Sequence, residues 1–437
     1  MYLPKPVQLC IDRLESAGYA TYAVGGCVRD ALLGLTPHDY DLCTAATPEQ
    51  TATVFSDFPL VRAGEKHGTI GVVLEHNVYE ITTFRTEGDY TDSRHPGWVA
   101  FVPEIEQDLA RRDFTVNAMA YSPVRGFADP FGGRSDLQNH ILRAVGNAPQ
   151  RFTEDALRIL RGVRFAVKYG LQPEKQTLSA MELLAPRLEN ISAERIFDEL
   201  CKLLPLVKAA DLLTFAPILA QILPELGATM GFAQHSVHHA YDVFTHTAHV
   251  TEAVPPVLPL RWAALLHDIG KADTFTMDAQ GQGHFYGHAD KSAVLADSIL
   301  RRLKSPNALR EQVVQLVKLH MTTFPTEEKA VRRWLGRLGP ETMDALLILQ
   351  QADMGSKGTG KFTESSQYPQ IRSLMEKIMS ENACLSLKDL AVDGHDLMAL
   401  GYSGKAIGNA LNALLEQVLD GQLPNEKQAL LNAVKQQ

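Results

Sequence analysis

The chain has little cysteine, and what it has is scattered. Cys10, Cys27, Cys43, Cys201 and Cys384 stand far apart in 437 residues, with no CxxC pair. That excludes a cysteine-based zinc site and points to a reducing cytoplasm. Long apolar runs are also missing. None approaches the ~18–20 residues of a membrane span, so no membrane partner is expected. The opening MYLPKPVQLC lacks a basic stretch followed by an apolar one, so no secretory leader is expected. Net positive charge is absent as well: the balance is -9, which weighs against nucleic-acid binding as a bulk property. The local exception is 301–337, where nine Lys/Arg face three Glu. Such a segment is either a solvated helix surface or a patch that tracks phosphates. No internal repeat is visible. What is present, 45% apolar and 21% charged residues, is the composition of a folded soluble protein. The length suggests about three domains.

Strand signals concentrate near the N-terminus. Residues 22–24 read as a short strand, Gly25-Gly26 as a turn, and CVRDALLGL as a helix. DYDLC alternates Asp39 and Asp41 with Tyr40 and Leu42, so it reads as a strand. Thr47, Pro48 and Gln50 form a helix start: an N-cap, a first-turn proline and a capping-box partner. TIGVVLEHNVYEITTF reads as two strands around a turn near His76-Asn77. Residues 86–103 are polar and show no period, which predicts an unusually long loop containing Asp89, Arg94 and Trp98. From about Asp136 onward the strand signals vanish. EDALRILRGVRFAVKYG is amphipathic at helical period, with Gly170 as its C-cap. Residues 355–368 read as a linker or mobile loop. The expectation is an α+β chain with a strand-containing head and a helical remainder.

Two groups of residues in the head carry chemistry. On one strand, Asp39 and Asp41 share a face roughly 6.6 Å apart at ~3.3 Å per residue. Two carboxylates so placed repel unless a cation lies between them, and a pair of Mg²⁺ ions suits them. The Gly25-Gly26 turn can bring backbone N–H groups close to phosphate oxygens, and Arg29 can add a fork of donors. Glu80 is a candidate third carboxylate. The other group is RRDFTVNAMAY with EDALRILRGVR. Arg112, Asp113 and Asn117 suit phosphate and ribose hydroxyls. Asp155 and Arg158 can meet a nucleobase edge, as Asp accepts from an exocyclic amine and Arg donates. A plain helix ion pair through Glu154 is the bland alternative.

GGCVRDALLG, HDYDL, RRDFTVNAMAY, DPFGG and EDALRILRGVRF together resemble the class II tRNA nucleotidyltransferases, the bacterial CCA-adding and poly(A) polymerase family. The resemblance implies an α+β architecture: a nucleotidyltransferase head with a small mixed sheet, then an all-helical neck, body and tail. It also implies Mg²⁺-dependent, template-independent transfer from CTP and ATP to the tRNA 3′ end. By position, Gly25, Gly26 and Arg29 fall in the triphosphate motif, and Asp39 and Asp41 are the metal carboxylates. Arg112, Asp113 and Asn117 contact ribose. Glu154, Asp155 and Arg158 select the base, with Arg161 beside them as a further nucleotide contact. The expected division is a head over 1–140, neck and start of body over 141–230, an HD region over 231–360 and a tail over 361–437. A poly(A) polymerase, an A-only enzyme and a non-catalytic RNA-binding protein are the alternatives.

A third group lies in the helical part. His246, the adjacent His267-Asp268, His288, His320 and Asp353 occur in the order H…HD…H…H…D. This order resembles the HD phosphohydrolase superfamily and supplies ligands for up to two ions. Imidazole with carboxylate suits Ni²⁺, Mn²⁺, Co²⁺ or Fe²⁺, with Zn²⁺ also possible. His239 and His249 are further candidates, and Lys271 either contacts a substrate phosphate or is a plain surface residue. The expected substrate is a damaged or 2′,3′-cyclic phosphate end of RNA. An idle HD fold that docks tRNA is the competing expectation.

Overall fold

The computed structural model describes residues 1–88, 98–236, 240–358, 367–381 and 384–435. They form two compact units, Met1–Leu206 with Thr214–Pro224, and Val207–Leu213 with Glu225–Gln437. The four-part division expected from sequence is a finer proposal than these two units.

The first unit is built on one mixed sheet. After helix α1 (Lys5–Ser16) come strand β1 (Thr21–Val24), helix α2 (Gly26–Leu32), strand β2 (Asp41–Thr44) and helix α3 (Pro48–Val54). Strands β3 (Leu60–Val61), β4 (Thr69–Leu74) and β5 (Asn77–Thr83) follow. Next come β6 (Arg85–Glu87), β7 (Val99–Phe101), helix α4 (Ile105–Ala110), β8 (Ala120–Ser122) and β9 (Gly126–Ala128). The sheet order is β3-β4-β5-β2-β1-β8-β9. Only β2 with β5 runs parallel; the neighbouring pairs on either side are antiparallel. The register places Val24 opposite Asp41. The end of β1, which opens into Gly25-Gly26, therefore lies beside the start of β2, which carries the aspartate. Tyr22, Val24, Cys43, Phe84 and Leu109 form the core beneath.

Three expectations need correction here. Strand β2 begins at Asp41, so Asp39 precedes it, outside the ladder. The β4–β5 turn sits at Glu75-His76, both at positive φ (49° and 66°), one residue earlier than expected. The segment 86–103 is not wholly irregular: its flanks pair as β6 and β7. Phe101 on β7 covers Gly68, where a Cβ would stand 2.8 Å from the ring. Asp89 and Arg94 lie outside the described residues. The capping box at Thr47 and Gln50 is present as expected.

Helices α5 (Gly133–Gln138), α6 (Ala148–Glu154), α7 (Leu157–Tyr169), α8 (Lys175–Leu184) and α9 (Ala193–Leu203) complete this unit. The EDALR segment is not one continuous helix. It spans a break, because Asp155 is extended (φ -143°) and its carboxylate accepts the Leu157 N–H at 3.0 Å. Gly170 ends α7 in the left-handed conformation, as expected. Strand pairing persists in small pieces past residue 136, at Ile141–Leu142 with Gln172–Pro173 and at Thr276–Met277 with Gly283–His284. Two-residue strands carry too little periodicity to be seen in sequence.

In the second unit, helices Val243–Ala253, Leu258–Leu266, His288–Arg302, Asn307–Leu319 and Pro340–Gly355 pack on one another around the fully buried Trp262. Nearer the C-terminus, Gly394–Ala399, Lys405–Leu419 and Lys427–Lys435 enclose Leu397, Leu414 and Leu430. The basic excess of 301–337 is offset by carboxylates. Arg301 pairs with Asp297, Arg302 with Glu225, Arg332 with Glu328, and Arg333 and Lys329 with Asp420. The surface reading of that segment is thereby favoured over a bare phosphate-tracking patch. Of the linker expected at 355–368, residues 359–366 lie outside the described residues.

Candidate active site and a buried histidine cluster

A cavity of about 480 Å³ in the first unit is lined by Gly25, Gly26, Arg29, Asp41, Arg112, Asp113, Asn117, Asp155, Arg158 and Arg161. Residues from the first turn, β2, the RRD segment and helix α7 thus meet around one space. A neighbouring cavity of about 610 Å³ is lined by Asp39, Asp41 and Glu80, with His38, Tyr40 and Tyr79. Asp41 faces both. Glu154 is absent from either lining and supports the wall instead, pairing with Arg151 and Arg158, each at 2.8 Å.

Gly25 is required twice over. Its φ is +69°, and a Cβ there would stand 2.8 Å from Nη1 of Arg112. Its N–H, expected to reach phosphate, instead donates to the Met119 carbonyl at 3.0 Å. Arg29 also departs from expectation. It is almost fully buried, and all its nitrogens are engaged: with Asp30, with the Asn117 carboxamide oxygen, and with the Tyr169 hydroxyl at 2.5 Å. Arg29 therefore braces Asn117 more than it offers a free fork. Asn117 donates to Asp113 Oδ1 at 3.0 Å, and Arg161 grips Asp113 Oδ2 through two bonds of 2.7 and 2.8 Å. Burial pushes the Asp113 carboxyl up, but Arg161, Asn117 and Arg158 outweigh it and hold it at about 2.

The side chains of Asp155 and Arg158 do not pair with each other. Asp155 Oδ2 accepts from Arg195 at 2.7 Å. Arg158 donates to Glu154 at 2.8 Å and to the carbonyls of Arg111 (3.1 Å) and Arg151 (3.3 Å). Both are fixed from behind while they line the cavity. The carboxyl of Asp41 lies above its ordinary range, through burial and the neighbouring Asp39 charge, against the pull of Arg112. A divalent cation between these carboxylates relieves that repulsion, so the residues present fit a metal.

Residues 21–143 match the poly A polymerase head domain family, 170–230 the probable RNA and SrmB-binding site of polymerase A, and 284–434 the putative tRNA nucleotidyltransferase domain 2. A CCA-adding enzyme of Streptococcus mutans is 33% identical over 431 residues, covering 98% of this chain and 96% of that protein. One of Limosilactobacillus fermentum is 34% identical over 434 residues, covering 98% and 96%. The crystal structure of a Bacillus stearothermophilus CCA-adding enzyme in complex with CTP superposes with a TM-score of 0.73 at 30% identity, covering 100% and 98%. The chain belongs to the CCA-adding enzyme family. Nucleotidyltransferases of this family depend on divalent metal. No helix among the described residues is long and apolar enough to cross a membrane.

Sequence reasoning missed several residues that shape this family site. Tyr169 and Phe165 follow Arg161 on one face of α7, four residues apart, and both rings lie against the Arg29 guanidinium, at 4.2 and 5.4 Å. That spacing was legible as a helix face. Arg195, forty residues from Asp155, left no local signal. Neither did Asp108.

The second unit brings the six expected ligands together. His246, His267 and Asp268 offer atoms within 4.8 Å of one another, as do Asp268, His288 and His320, so Asp268 is common to both groups. Asp353 joins through His246 Nε2 at 2.9 Å. Each of four imidazoles directs Nδ1 to a backbone carbonyl: Ser356 for His246, Ala264 for His267, Phe285 for His288 and Val317 for His320. Four Nε2 atoms consequently face Asp268, the arrangement by which proteins orient histidine ligands. His267 Nε2 is buried 3.2 Å from Asp268 Oδ2, and the His288 and His320 Nε2 atoms approach to 3.3 Å. Burial and the His267 charge push His320 down to about 4. These donors fit a transition metal. Lys271 is not a surface residue: it is buried between Asp268 (2.7 Å) and Gln234 (2.9 Å). His249 stacks on Tyr241 at 4.8 Å, and His239 lies outside the described residues.

Proposed function

We propose that this chain adds the 3′-terminal CCA sequence to tRNA, in the cytoplasm, by template-independent transfer from CTP and ATP. The observation that carries it is the single cavity at which the turn, the aspartate, the RRDxxxN segment and the DxxR residues converge. Relatives named CCA-adding enzymes, and one solved with CTP, support it.

Asp39 and Asp41 would hold Mg²⁺. When bound, such ions would supply positive charge to offset the negative charge that develops during nucleotidyl transfer. The RNA 3′-hydroxyl forms the new ester bond and pyrophosphate leaves. Arg112, laid against Gly25, offers cationic donors to the phosphates. Arg161, Asp113 and Asn117 form a rigid run that places an amide against ribose hydroxyls. Arg158 and Asp155, anchored by Glu154 and Arg195, present donors and an acceptor to the base edge. A wall so fixed chooses bases without a template strand. The test is incubation of the purified protein with tRNA lacking its 3′ end, with each nucleotide singly and together. Products ending in CCA are expected. A homopolymer of A would mark a poly(A) polymerase, addition to CC ends alone an A-only enzyme, and no extension a binding protein.

The convergence of four imidazoles on Asp268 favours an additional reading of the second unit. We infer a metal-dependent phosphohydrolase there, acting on phosphorylated or 2′,3′-cyclic RNA ends, with Ni²⁺, Mn²⁺, Co²⁺ or Fe²⁺. His246, His267, Asp268 and Asp353 would hold one ion and Asp268, His288 and His320 a second. A metal held there would supply Lewis-acid activation for hydrolysis of the phosphate ester. Lys271 neutralises Asp268. Metal analysis with a cyclic-phosphate assay tests it; bound metal without hydrolysis leaves tRNA docking as the role.

A further inference from the structure

Asp108 belongs to none of the motifs that mark the nucleotide cavity, and it is fully buried on α4. Buried carboxylates are costly unless paired and hydrogen-bonded, and this one is saturated. Its Oδ1 accepts from Arg111 Nε at 3.0 Å and Nη2 at 2.8 Å, and from the backbone N–H of Arg85 at 3.3 Å. Its Oδ2 accepts from Arg112 Nη2 at 3.2 Å and from the Cys43 thiol at 3.8 Å. Both arginines line the cavity. The Arg111 carbonyl accepts from Arg158, so the base-facing arginine hangs on the same segment. Arg85 opens the β6–β7 pair. One carboxylate thus ties two cavity arginines, the backbone that carries Arg158, and the start of a hairpin.

We propose that Asp108 is a positioning residue for nucleotide recognition: it holds Arg111 and Arg112 in the cavity wall and, through the Arg111 backbone, sets where Arg158 meets the base. Without it, Arg112 has another carboxylate to turn to, since Asp41 lines the same cavity. Arg112 would then lie over the metal-holding aspartate and leave its place against Gly25. Asp108 is fully buried and is not part of the cavity lining. Its effect is on where donors stand, so it should appear in affinity and in base choice together. The inference rests on the nucleotidyl-transfer reading of this cavity.

The experiment uses the full chain with Mg²⁺ present. CTP and UTP binding are measured by equilibrium dialysis, and incorporation of both by single-turnover extension of tRNA. Asp108→Asn keeps shape and removes charge. Its CTP Kd is expected to rise roughly tenfold, the equivalent of one charge-assisted hydrogen bond, and its preference for CTP over UTP to fall. A variant that only melts earlier, with wild-type Kd and wild-type preference, overturns the proposal. Arg111→Lys keeps the charge but loses the fork. It should blur base choice as well, and it decides the question if Asp108→Asn does not fold. Unchanged preference in Arg111→Lys then overturns the proposal. On an Arg112→Gln background, Asp108→Asn should cost less than it does alone; full additivity refutes action through Arg112. Wild-type protein that binds no CTP removes the underlying reading. Wild type that binds, with Asp108→Asn unchanged, removes this inference alone.

Discussion

Replacing Arg158 with methionine separates a structural from a recognition role in one residue. Its side chain is 10% exposed, so its methylenes are already packed and methionine occupies similar space. Three partners lose a donor: Glu154 and the carbonyls of Arg111 and Arg151. Glu154 keeps Arg151 at 2.8 Å, so no buried charge is stranded and the larger penalty of a broken ion pair does not apply. The expected loss of stability is about 2 kcal/mol, typical of hydrogen bonds to a charged group. Base discrimination is a separate quantity. A well-placed pair of hydrogen bonds to a base edge is worth about 1–3 kcal/mol, roughly a 5- to 150-fold change in preference. Urea unfolding reads the first effect. Competitive incorporation of CTP, ATP, UTP and GTP on tRNA ends reads the second. The reasoning is refuted if the variant loses stability but keeps its preference among the four nucleotides. A uniform loss of affinity for all four would assign Arg158 to phosphate binding instead.

Asp41→Asn should lower nucleotide addition at least about 10³-fold, roughly 4 kcal/mol. It should leave thermal unfolding unchanged or raised, because burial and Asp39 already disfavour the ionised carboxylate; a clear drop in melting temperature contradicts this. Arg161→Met removes the partner that holds Asp113 at about 2. A depressed carboxyl stabilises the fold above its unfolded value, and that stability fades as pH falls from about 4 toward 2. The variant should therefore be weaker by about 1–2 kcal/mol at pH 7, discounted for the one-third exposure of Arg161. The gap should narrow below about pH 4, and a gap independent of pH would rule the ion pair out as its source. Asp268→Asn should empty the second unit of bound metal and abolish any phosphohydrolase activity, while CCA addition continues; elemental analysis beside the extension assay checks both.

The sequence by itself determined much of the site. Local rules sufficed for the glycine turn, the capping box at Thr47, the β4–β5 hairpin and the Gly170 cap, because each depends on residues within a few positions. Motif order pointed to the residues that line the cavity, and the H…HD…H…H…D order to the buried histidine cluster. Tertiary structure decided what those residues do. Val24 had to pair with Asp41 before the glycine turn and the aspartate could share a cavity. Arg29 reads as a free phosphate fork until Tyr169, 140 residues away, occupies it. Asp155 and Arg158 read as neighbours on one helix, yet a helix break and Arg195 from α9 give Asp155 a partner of its own while Arg158 keeps Glu154. Four histidines spread over 75 residues converge on Asp268 only because backbone carbonyls, supplied by the packing of separate helices, turn every Nε2 inward. Side-chain direction and the choice among competing partners are long-range properties. Short-range pattern names the donors and acceptors, and packing assigns them to one another.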